Sequence, residues 1–521
     1  MRITIFFAAF LFSITLFGQD FPNLRHDYIW LFGYQSWATP TDSVFGNYHL
    51  DFRTNPPTIY RDSFTMDFYL TNASIADKSG HLLFFTNGNR ILNRSYAIME
   101  NGDSLCQNNI SYNWGYDGQP NIQGALILPM PGDANKYILL QQERSDTSGG
   151  EGISFLTYLG LDYYYSVIDM SYNNYHGKVI EKSVPLVHDT LEIGKITACR
   201  HANGRDWWIL VHEYDTNWYY RFLLDNVGIH TLDPQIIGEN MPSDFGQVFF
   251  TPDGNKYIMT SIKIDVVNLE GPGTFVSIYD FDRCTGLLSN QRIKNFVQEE
   301  SYIWGAAASP NSQFLYTMAD TAIAQYDLLA DDIFATRTTV AVYDGFVSPF
   351  ATGFAFGVTA PDGKIYGIPG SSVNVMHVIN HPNERGLACD VCQHCVQLPT
   401  YNAFSVPNFA NYRLGPLDGS PCDTLGIDNP PPASVSEEQD EVPTVRLYPN
   451  PASQLVFVQY ADPQHDTKLL LYNALGELVL ERPLAPLLSN IDIQRLASGI
   501  YFYSIVQHGK TLAVGKIIKQ T

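Results

Sequence analysis

Three of the seven cysteines lie close together in the run Cys389-Asp-Val-Cys392-Gln-His-Cys395. This spacing can bind zinc through thiolates, with His394 or Cys422 as a fourth ligand. Structural zinc sites built on Cys-x-x-Cys usually carry a second such pair, and this sequence has none. Cysteines of exported proteins form disulfides by default. We therefore expect disulfides rather than zinc, and the odd count leaves at least one cysteine unpaired within the chain.

A second group of side chains could carry acid–base chemistry. His201, Asp206 and His212 are close in sequence and could exchange protons with a substrate. Trp207 and Trp208 begin an apolar strand between them. Because histidines in strands are commonly hydrogen-bonded packing residues, we favour a structural role for all three polar side chains.

Paired carboxylates offer a third option. Asp280 and Asp282 alternate along one strand and could bind a cation or act as a glycosidase pair. We favour a salt link to Arg283 or Arg292, while calcium on acidic loops stays open. Motifs for phosphate loops, zinc-protease helices, EF-hands and serine-hydrolase elbows are absent from the sequence. The sequence thus predicts no catalytic, cofactor-binding or metal-binding residue.

The composition indicates the class of fold that must position these residues. Among 521 residues, 32 are Tyr and 31 are Phe, while only 16% are charged. Aromatic residues favour strands, and abundant Gly and Pro favour turns. The formal net charge of −22 repels nucleic-acid phosphates and anionic membranes. We expect an all-β protein that binds no nucleic acid.

The N-terminus predicts export. Arg2 precedes an uncharged run from Ile3 to Phe17, followed by Gly18 and polar residues. This run is short for a membrane span, which needs about 20 apolar residues. We interpret residues 1–18 as a cleaved signal peptide, with a membrane anchor as the alternative. No later stretch of the sequence predicts a transmembrane span.

A degenerate repeat organises the long middle part of the chain. Each copy has a turn of Asp, Asn, Gly or other small residues, followed by an apolar and aromatic strand. The copies begin at Lys78, Gly132, Ala202, Pro252, Pro310 and Pro361. Successive copies begin about 50 to 70 residues apart. Repeats of roughly this length that contain several short strands are typical of β-propellers.

The copies at Pro252, Pro310 and Pro361 resemble the strand–turn phrase of WD40-like propeller repeats. We expect six to eight blades and favour seven. The last blade would close by pairing residues 27–60 with a strand near 404–414, which removes free sheet edges. A tandem of irregular β-sandwiches is the alternative.

Two segments follow the propeller body, which we place at residues 20–422. Residues 423–442 are rich in Pro, Ser and acidic residues and should form an exposed linker. Residues 443–521 resume apolar alternation, enough for one small Greek-key β-sandwich. The body and the sandwich should therefore be separate domains.

The C-terminal domain resembles a known family. Its landmarks are Tyr448-Pro449-Asn450-Pro451-Ala452, Asn473-Ala-Leu-Gly476, Leu496-Ala-Ser-Gly499-Ile-Tyr501 and Lys516. This order is similar to the type A C-terminal sorting domain of the type IX secretion system of Bacteroidota. The resemblance implies periplasmic transit, transport by the type IX machinery to the surface or medium, and removal of the domain by a sortase-like peptidase. It often implies attachment to a surface glycolipid.

The body itself suggests recognition more than catalysis. Phrases such as Asn411-Tyr-Arg-Leu-Gly-Pro416 resemble Bacteroidota proteins that carry the same tail, which adds a fold and no chemistry. Propellers hold variable loops on one rigid face, which suits a glycan or protein ligand. We expect an exported ligand-binding or adhesion module. The alternatives are a polysaccharide hydrolase or lyase, for which the central channel should bring together two carboxylates or histidines, and a structural matrix protein.

Overall fold

The computed structural model describes residues 23–36, 44–106, 118–146, 158–241, 245–263, 273–296, 302–425, 446–460, 467–473, 475–484, 487–507 and 510–520. The chain divides into two compact units, Met1–Pro430 and Pro431–Thr521. The predicted signal peptide, and the predicted linker from residue 426 onward, lie outside the described residues.

Seven antiparallel sheets make up the described part of the first unit, and each is formed from strands that are consecutive in the chain. The first two sheets have three strands each: sheet 1 contains β1 Ile29–Tyr34, β2 Gly46–Asp51 and β3 Thr58–Asp62, and sheet 2 contains β4 Ala73–Ala76, β5 Leu82–Thr86 and β6 Ile91–Asn93. The next three sheets have four strands each: sheet 3 contains β7 Ala125–Pro129, β8 Lys136–Asp146, β9 Tyr158–Asp169 and β10 Lys178–Leu191; sheet 4 contains β11 Thr197–Arg200, β12 Trp207–His212, β13 Trp218–Leu224 and β14 Ile229–Ile236; and sheet 5 contains β15 Val248–Phe250, β16 Lys256–Lys263, β17 Gly273–Asp282 and β18 Leu287–Asn295. The last two sheets also have four strands each: sheet 6 contains β19 Ile303–Ala308, β20 Phe314–Ala319, β21 Ala322–Asp327 and β22 Thr338–Val342, and sheet 7 contains β23 Phe354–Thr359, β24 Ile365–Pro369, β25 Val373–Ile379 and β26 Val391–Asn402. Short 3-10 turns occur at Asn173–Tyr175, Phe334–Thr336 and Gly386–Cys389.

In every sheet of the first unit except sheet 2, the last strand is less buried than the first. In sheet 4, β11 and β12 are buried along their whole length, β13 alternates, and β14 is largely exposed. A strand buried on both faces needs a neighbouring sheet on each side, which explains the continuous apolar run Trp207–Val211. The first strands therefore lie on the inside of the unit.

Neighbouring sheets share apolar clusters, and the clusters link all seven sheets in a closed series. Sheets 1 and 2 share one cluster, sheets 2 to 4 share the largest, and the pairs 4–5, 5–6 and 6–7 each share another. A last cluster joins sheet 7 back to sheet 1 through Trp30 and Tyr366, whose ring centroids are 5.6 Å apart. The all-β prediction is confirmed, and the arrangement is propeller-like.

The six repeat phrases each form the turn between the first and second strands of a sheet. In the turn at Pro252, the Gly254 amide donates to the Thr251 carbonyl and Gly254 has φ of +74°. At the corresponding place in the turn at Pro310, Ser312 adopts φ of +60°. The turn geometry therefore persists where the sequence has lost its glycine.

The predicted closure is wrong in its detail. Residues 404–414 form no strand. The strands within residues 27–60 belong to sheet 1, which contains no strand from residues 404–414. Sheet 1 meets sheet 7 through β26 instead, where the Thr400 hydroxyl donates to the Gly46 carbonyl at 2.7 Å. Residues 404–414 were expected to fill a sheet edge, but their polar side chains bond to the inner strands of other sheets.

The second unit contains two antiparallel sheets around one core. Its strands are β27 Arg446–Tyr448, β28 Leu455–Tyr460, β29 Thr467–Tyr472, β30 Leu478–Pro483, β31 Leu487–Asp492, β32 Gly499–Gln507 and β33 Lys510–Lys519. One sheet has the order β27-β28-β31 and the other β30-β29-β32-β33. Val456 and Ile491 from the first sheet share a buried cluster with Leu469, Ile505 and Ile517 from the second.

No helix among the described residues is long and apolar enough to cross a membrane.

Candidate functional site

The chain after β26 runs along the inner strands of the first unit. We call residues 403–416 the central segment. Asn408 is 3% exposed, and its side-chain amide donates to the carbonyls of Ala125 and Ile196, both at 2.9 Å. Its side-chain oxygen accepts from Gln123 at 3.1 Å. The Asn408 side chain thus connects the starts of β7 and β11, the first strands of sheets 3 and 4.

The following residues contact the other ends of those first strands. The Tyr412 hydroxyl donates to the Ile127 carbonyl at 2.7 Å, and Arg200 donates to the Tyr412 carbonyl. Arg413 forms a bidentate ion pair with Asp27, with both N–O distances 2.6 Å. The central segment therefore passes from the starts of the first strands to their ends.

The segment is fastened where it leaves the inner strands. Arg283 donates to the Gly415 carbonyl, and the Leu417 amide donates to the Ala202 carbonyl at 2.9 Å. Cys422 then forms a disulfide with Cys284, in the turn between β17 and β18. The two cysteines are 138 residues apart in sequence. A disulfide that closes so long a loop strongly reduces the conformational freedom of the unfolded chain.

A cavity of about 370 Å³ lies between the central segment and the first strands of sheets 5, 6 and 7. Gln247 bridges its wall, since its side-chain oxygen accepts from the amides of Ala306 and Gly357. Among the lining residues that the structure describes, Asp27 is the only carboxylate and there is no histidine. Asp27 is already paired with Arg413, so this cavity lacks the two acidic or histidine groups expected of the hydrolase or lyase.

A smaller, nearly apolar pocket of about 210 Å³ lies where the first strands begin. Its lining comprises Tyr69, Leu70, Ile122, Phe245, Trp304 and Phe404. The four aromatic side chains are half-buried. The Trp304 indole donates to the Asp320 carboxylate at 2.8 Å, which fixes the ring plane, and burial raises the pKa of Asp320. The pocket thus presents oriented aromatic surface to solvent.

The cysteines form two disulfides, Cys284–Cys422 and Cys392–Cys395. Cys106, Cys199 and Cys389 are free and buried. Cys422 is therefore used elsewhere, and His394 bonds to Asp344 at 2.9 Å. The structure separates the groups that a zinc site at Cys389, Cys392 and Cys395 would need, and the described residues contain no cluster suited to a metal ion.

His201, Asp206 and His212 do not converge on one site. His201 contacts the Cys284 carbonyl and the Asn203 amide, and Asp206 pairs with Arg205 at 2.7 Å. His212 lies in a separate buried cluster beside Glu192, at 3.0 Å. Each side chain is held by a structural contact.

The carboxylate pair also separates. Asp280 accepts from Arg292 and Lys256, both at 2.9 Å, and the Arg292 hydrogen bonds hold the Asp280 pKa well below its usual range. Asp282 caps the next turn by accepting from the Cys284 amide and the Thr285 hydroxyl. The favoured link to Arg292 is present.

Most of the sorting landmarks lie in turns or at strand ends of the second unit, while Tyr501 and Lys516 lie within β32 and β33. Asn450 donates to the Lys516 carbonyl and accepts from the Ile518 amide, between Pro449 and a cis bond to Pro451. The Tyr501 hydroxyl donates to the Ala497 carbonyl.

Gly476, Gly499 and Lys516 lie at exposed positions. Gly476 closes the Asn473 turn with φ of +82°, and the Lys516 side chain is exposed. Gly499 begins β32, and Tyr448 ends β27.

Residues 446–520 match the family model of the secretion system C-terminal sorting domain. The protein carries a type IX sorting tail. Such a tail indicates export to the cell surface or beyond and handling by the type IX machinery. No curated protein sequence matches the chain.

Solved structures show only distant likeness. One is PorZ, a bacterial surface component of the type IX secretion system of Porphyromonas gingivalis, at 12% identity and a TM-score of 0.30, covering 91% of this chain and 68% of that one. Another is a functionally unknown Desulfotomaculum acetoxidans protein, at 14% identity and 0.37, covering 68% and 94%. A third is the Pseudomonas aeruginosa periplasmic gluconolactonase PpgL, at 9% and 0.31, covering 73% and 96%.

Sequence reasoning missed the residues that build both cavities. Asn408, Tyr412 and Arg413 were expected in an edge strand, and Trp304 was not singled out. The only available signal was the polar, strand-breaking phrase Asn411–Pro416, in which Asn, Arg, Gly and Pro interrupt the apolar alternation. Such a phrase is poorly suited to a strand at a sheet edge.

Proposed function

We propose that this protein is an exported, surface-exposed binding module whose body is a seven-bladed propeller that recognises a neutral extracellular glycan. Each of the seven sheets would be one blade of the body, residues 20–422. Residues 423–442 would link it to a Greek-key sorting domain at 443–521. The closed series of apolar clusters supports the propeller, and the matched sorting tail supports export.

The aromatic pocket is the observation that carries the ligand class. Sugar rings have an apolar face and polar edges, and they pack on aromatic rings in the way that other amphipathic groups do. Trp304 lies 5.8 Å from Tyr302 and 6.2 Å from Phe245, measured between ring centroids. Asp320 holds the indole in place, so little side-chain entropy is lost when a ligand binds.

Charge narrows the ligand further. The chain carries a net charge of −22, which disfavours anionic polysaccharides at low ionic strength. The described residues that line the pocket have no charged side chain. A neutral sugar therefore fits better than an acidic one.

We expect Trp304→Ala to weaken binding of the glycan identified on an array by at least about tenfold, because truncating a central aromatic anchor costs about 2 kcal/mol. The array is read with the purified protein, and Kd is then measured by calorimetry. Trp218→Ala is the matched control, since Trp218 is a half-buried tryptophan outside the pocket. Equal losses in the two variants, or an array without any hit, would contradict the glycan assignment. Capture of a protein ligand by the same surface would contradict it too.

Deleting residues 446–521 should keep the protein in the periplasm of a type IX-competent host, because the sorting domain is removed while the body is a separate compact unit. Cell fractions and medium are compared by immunoblot. The full-length Trp304→Ala variant, which keeps the tail, should still reach the surface or medium. Normal export of the deleted form would refute the sorting role of Tyr448–Pro451, Gly476, Gly499, Tyr501 and Lys516.

A further inference from the structure

The Cys392–Cys395 disulfide lies on a bulge of the last strand of sheet 7. Val378 pairs with Cys392 and Met376 pairs with Val396, so the residues between the two cysteines are pushed out of the ladder. His394 adopts φ of +44° in this bulge. Cys395 is exposed and Cys392 is half-buried. A thiolate from solution can therefore approach the Cys395 sulfur.

The two residues between the cysteines hold a neighbouring loop. Gln393 donates to the Val342 carbonyl at 2.8 Å and accepts from the Asp344 amide at 3.2 Å. The His394 ring bonds to Asp344 at 2.9 Å and stacks on Phe346 with centroids 4.2 Å apart. The disulfide and this loop, residues 342–350, are thus one connected structure.

The loop presents a row of apolar side chains to solvent. Val342 is 65% exposed, Val347 58%, Phe350 56% and Phe346 38%. We call these four residues the apolar loop. Exposed apolar residues that cluster, rather than occur singly, mark binding surfaces. Here the cluster adjoins a disulfide, which points to a polypeptide ligand that has both apolar and cysteine side chains.

Two observations separate this disulfide from the other cysteines. Cys392 and Cys395 are 3 residues apart in sequence, whereas Cys284 and Cys422 are 138 residues apart. Reduction of the Cys392–Cys395 disulfide therefore increases the conformational entropy of the unfolded chain far less than reduction of Cys284–Cys422. Cys389 cannot substitute for either partner, because it is buried and burial raises the pKa of its thiol. A reduced Cys392–Cys395 pair is therefore compatible with the folded body.

The charged and titratable groups that face the bulge are few. Asp344 lies on the neighbouring loop and Asp390 precedes the strand. Across the sheet, burial lowers the pKa of His377 to about 4, and its Nδ1 accepts from the His394 amide at 3.0 Å. His377 is therefore neutral near pH 7, and His394 is the histidine of the bulge itself.

We propose that Cys392–Cys395 is a thiol–disulfide exchange site that oxidises cysteine-containing, apolar polypeptide segments docked on the apolar loop. A substrate thiolate attacks the Cys395 sulfur, the bond to Cys392 breaks, and the Cys392 thiolate takes a proton from water. The second thiolate of the substrate then attacks the substrate sulfur of the mixed disulfide, which forms the substrate disulfide and releases the Cys395 thiolate to take a proton from water. Two electrons pass from the substrate dithiol to the protein, which ends with two thiols.

The test uses the full chain and a synthetic reduced peptide with two cysteines flanked by Leu and Phe. We expect one peptide to be oxidised per protein, and mass spectrometry to find Cys392 and Cys395 reduced while Cys284–Cys422 stays intact. A peptide with a single cysteine, supplied as its disulfide with a small aromatic thiol, should stay trapped on Cys395 of Cys392→Ser: the Cys395 thiolate attacks the peptide sulfur, the aromatic thiolate leaves, and neither Cys392 nor a second peptide thiol remains to release the peptide. A pair that is reduced only in denaturant, or a trapped peptide on another cysteine, would overturn the proposal.

The double variant Val347→Ser/Phe350→Ser tests the apolar loop. It should slow peptide oxidation about fivefold or more, because apolar contact area is lost. Its reaction with reduced glutathione, which has no apolar side chain, should keep the wild-type rate. Equal slowing of both reactions would show that the variant disturbs the disulfide rather than docking, and would refute the binding role. The aromatic pocket and the sorting tail play no part in these measurements.

Discussion

Replacing Asn408 with Ala is expected to lower the free energy of unfolding of the body by about 3 to 5 kcal/mol, because it takes away hydrogen-bond partners of several buried polar groups. The substitution removes the donor to the Ala125 and Ile196 carbonyls and one of the two acceptors of the Gln123 side-chain amide, which still donates to the Val248 carbonyl. Each buried polar group left unsatisfied costs about 1 to 3 kcal/mol. Urea unfolding followed by tryptophan fluorescence measures the loss.

Two further variants test the interpretation. Asn408→Asp keeps the shape but replaces the donor with an acceptor facing two carbonyls, so it should be at least as damaging as Asn408→Ala. Asn411→Ala removes a half-buried side chain that donates to the Pro252 carbonyl and accepts from the Arg413 amide, so it should cost less, about 1 to 2 kcal/mol. Comparable stability of all three variants would show that the central segment is a passive filler of the space between the sheets.

The central segment also shows where sequence reasoning stopped. The turns of the six repeat phrases were predictable because a turn depends on local residues such as Asp253-Gly254. The sorting tail was predictable because its landmarks occur in a fixed order. Asn408, in contrast, bonds to residues 212 and 283 positions away, and no local pattern encodes such partners.

The cysteines illustrate the same limit. Disulfides were the favoured outcome from compartment and spacing, but connectivity cannot be read from a sequence with seven cysteines. The Cys284–Cys422 bridge depends on the central segment, which brings residue 422 to the β17–β18 turn. The pocket around Trp304 of sheet 6 likewise combines residues that precede the first strands of sheets 2, 3 and 5 with Phe404, which follows sheet 7. Both features depend on the closed series of sheets. The sequence predicts the class of this fold but not which distant residues the fold brings together.

A buried cluster of charged residues between sheets 4 and 5 leads to the second large expected effect. Glu192 pairs with Lys195 and lies 3.0 Å from His212, and all three side chains are almost fully buried. Lys195 also donates to the Ser261 hydroxyl of β16 at 3.3 Å. Burial by itself would raise the pKa of Glu192, but the Lys195 charge and His212 outweigh it, so this pKa is lowered.

Lys195→Met should therefore destabilise the protein by about 3 to 5 kcal/mol at pH 7, because it removes the cation that pairs with a buried carboxylate. In the wild type, the lowered Glu192 pKa gives stability that is present above the unfolded pKa and is lost as the pH falls through the folded value. In the variant, burial dominates and raises the Glu192 pKa. When the pH falls, the Glu192 carboxylate is protonated, and the free-energy cost of burying its charge is removed. The stability difference between the two proteins should thus be largest near pH 7 and shrink toward pH 4.

The double variant Lys195→Met/Glu192→Gln separates charge from packing. It removes both charges and keeps a side chain of Glu192's size beside His212, so most of the lost stability should return and the extra pH dependence should vanish. Chemical unfolding at pH 7 and pH 4.5 for the wild type and both variants provides the measurement. If the double variant is as unstable as Lys195→Met at both pH values, the Lys195 stem rather than its charge joins sheets 4 and 5, and the ion-pair account fails.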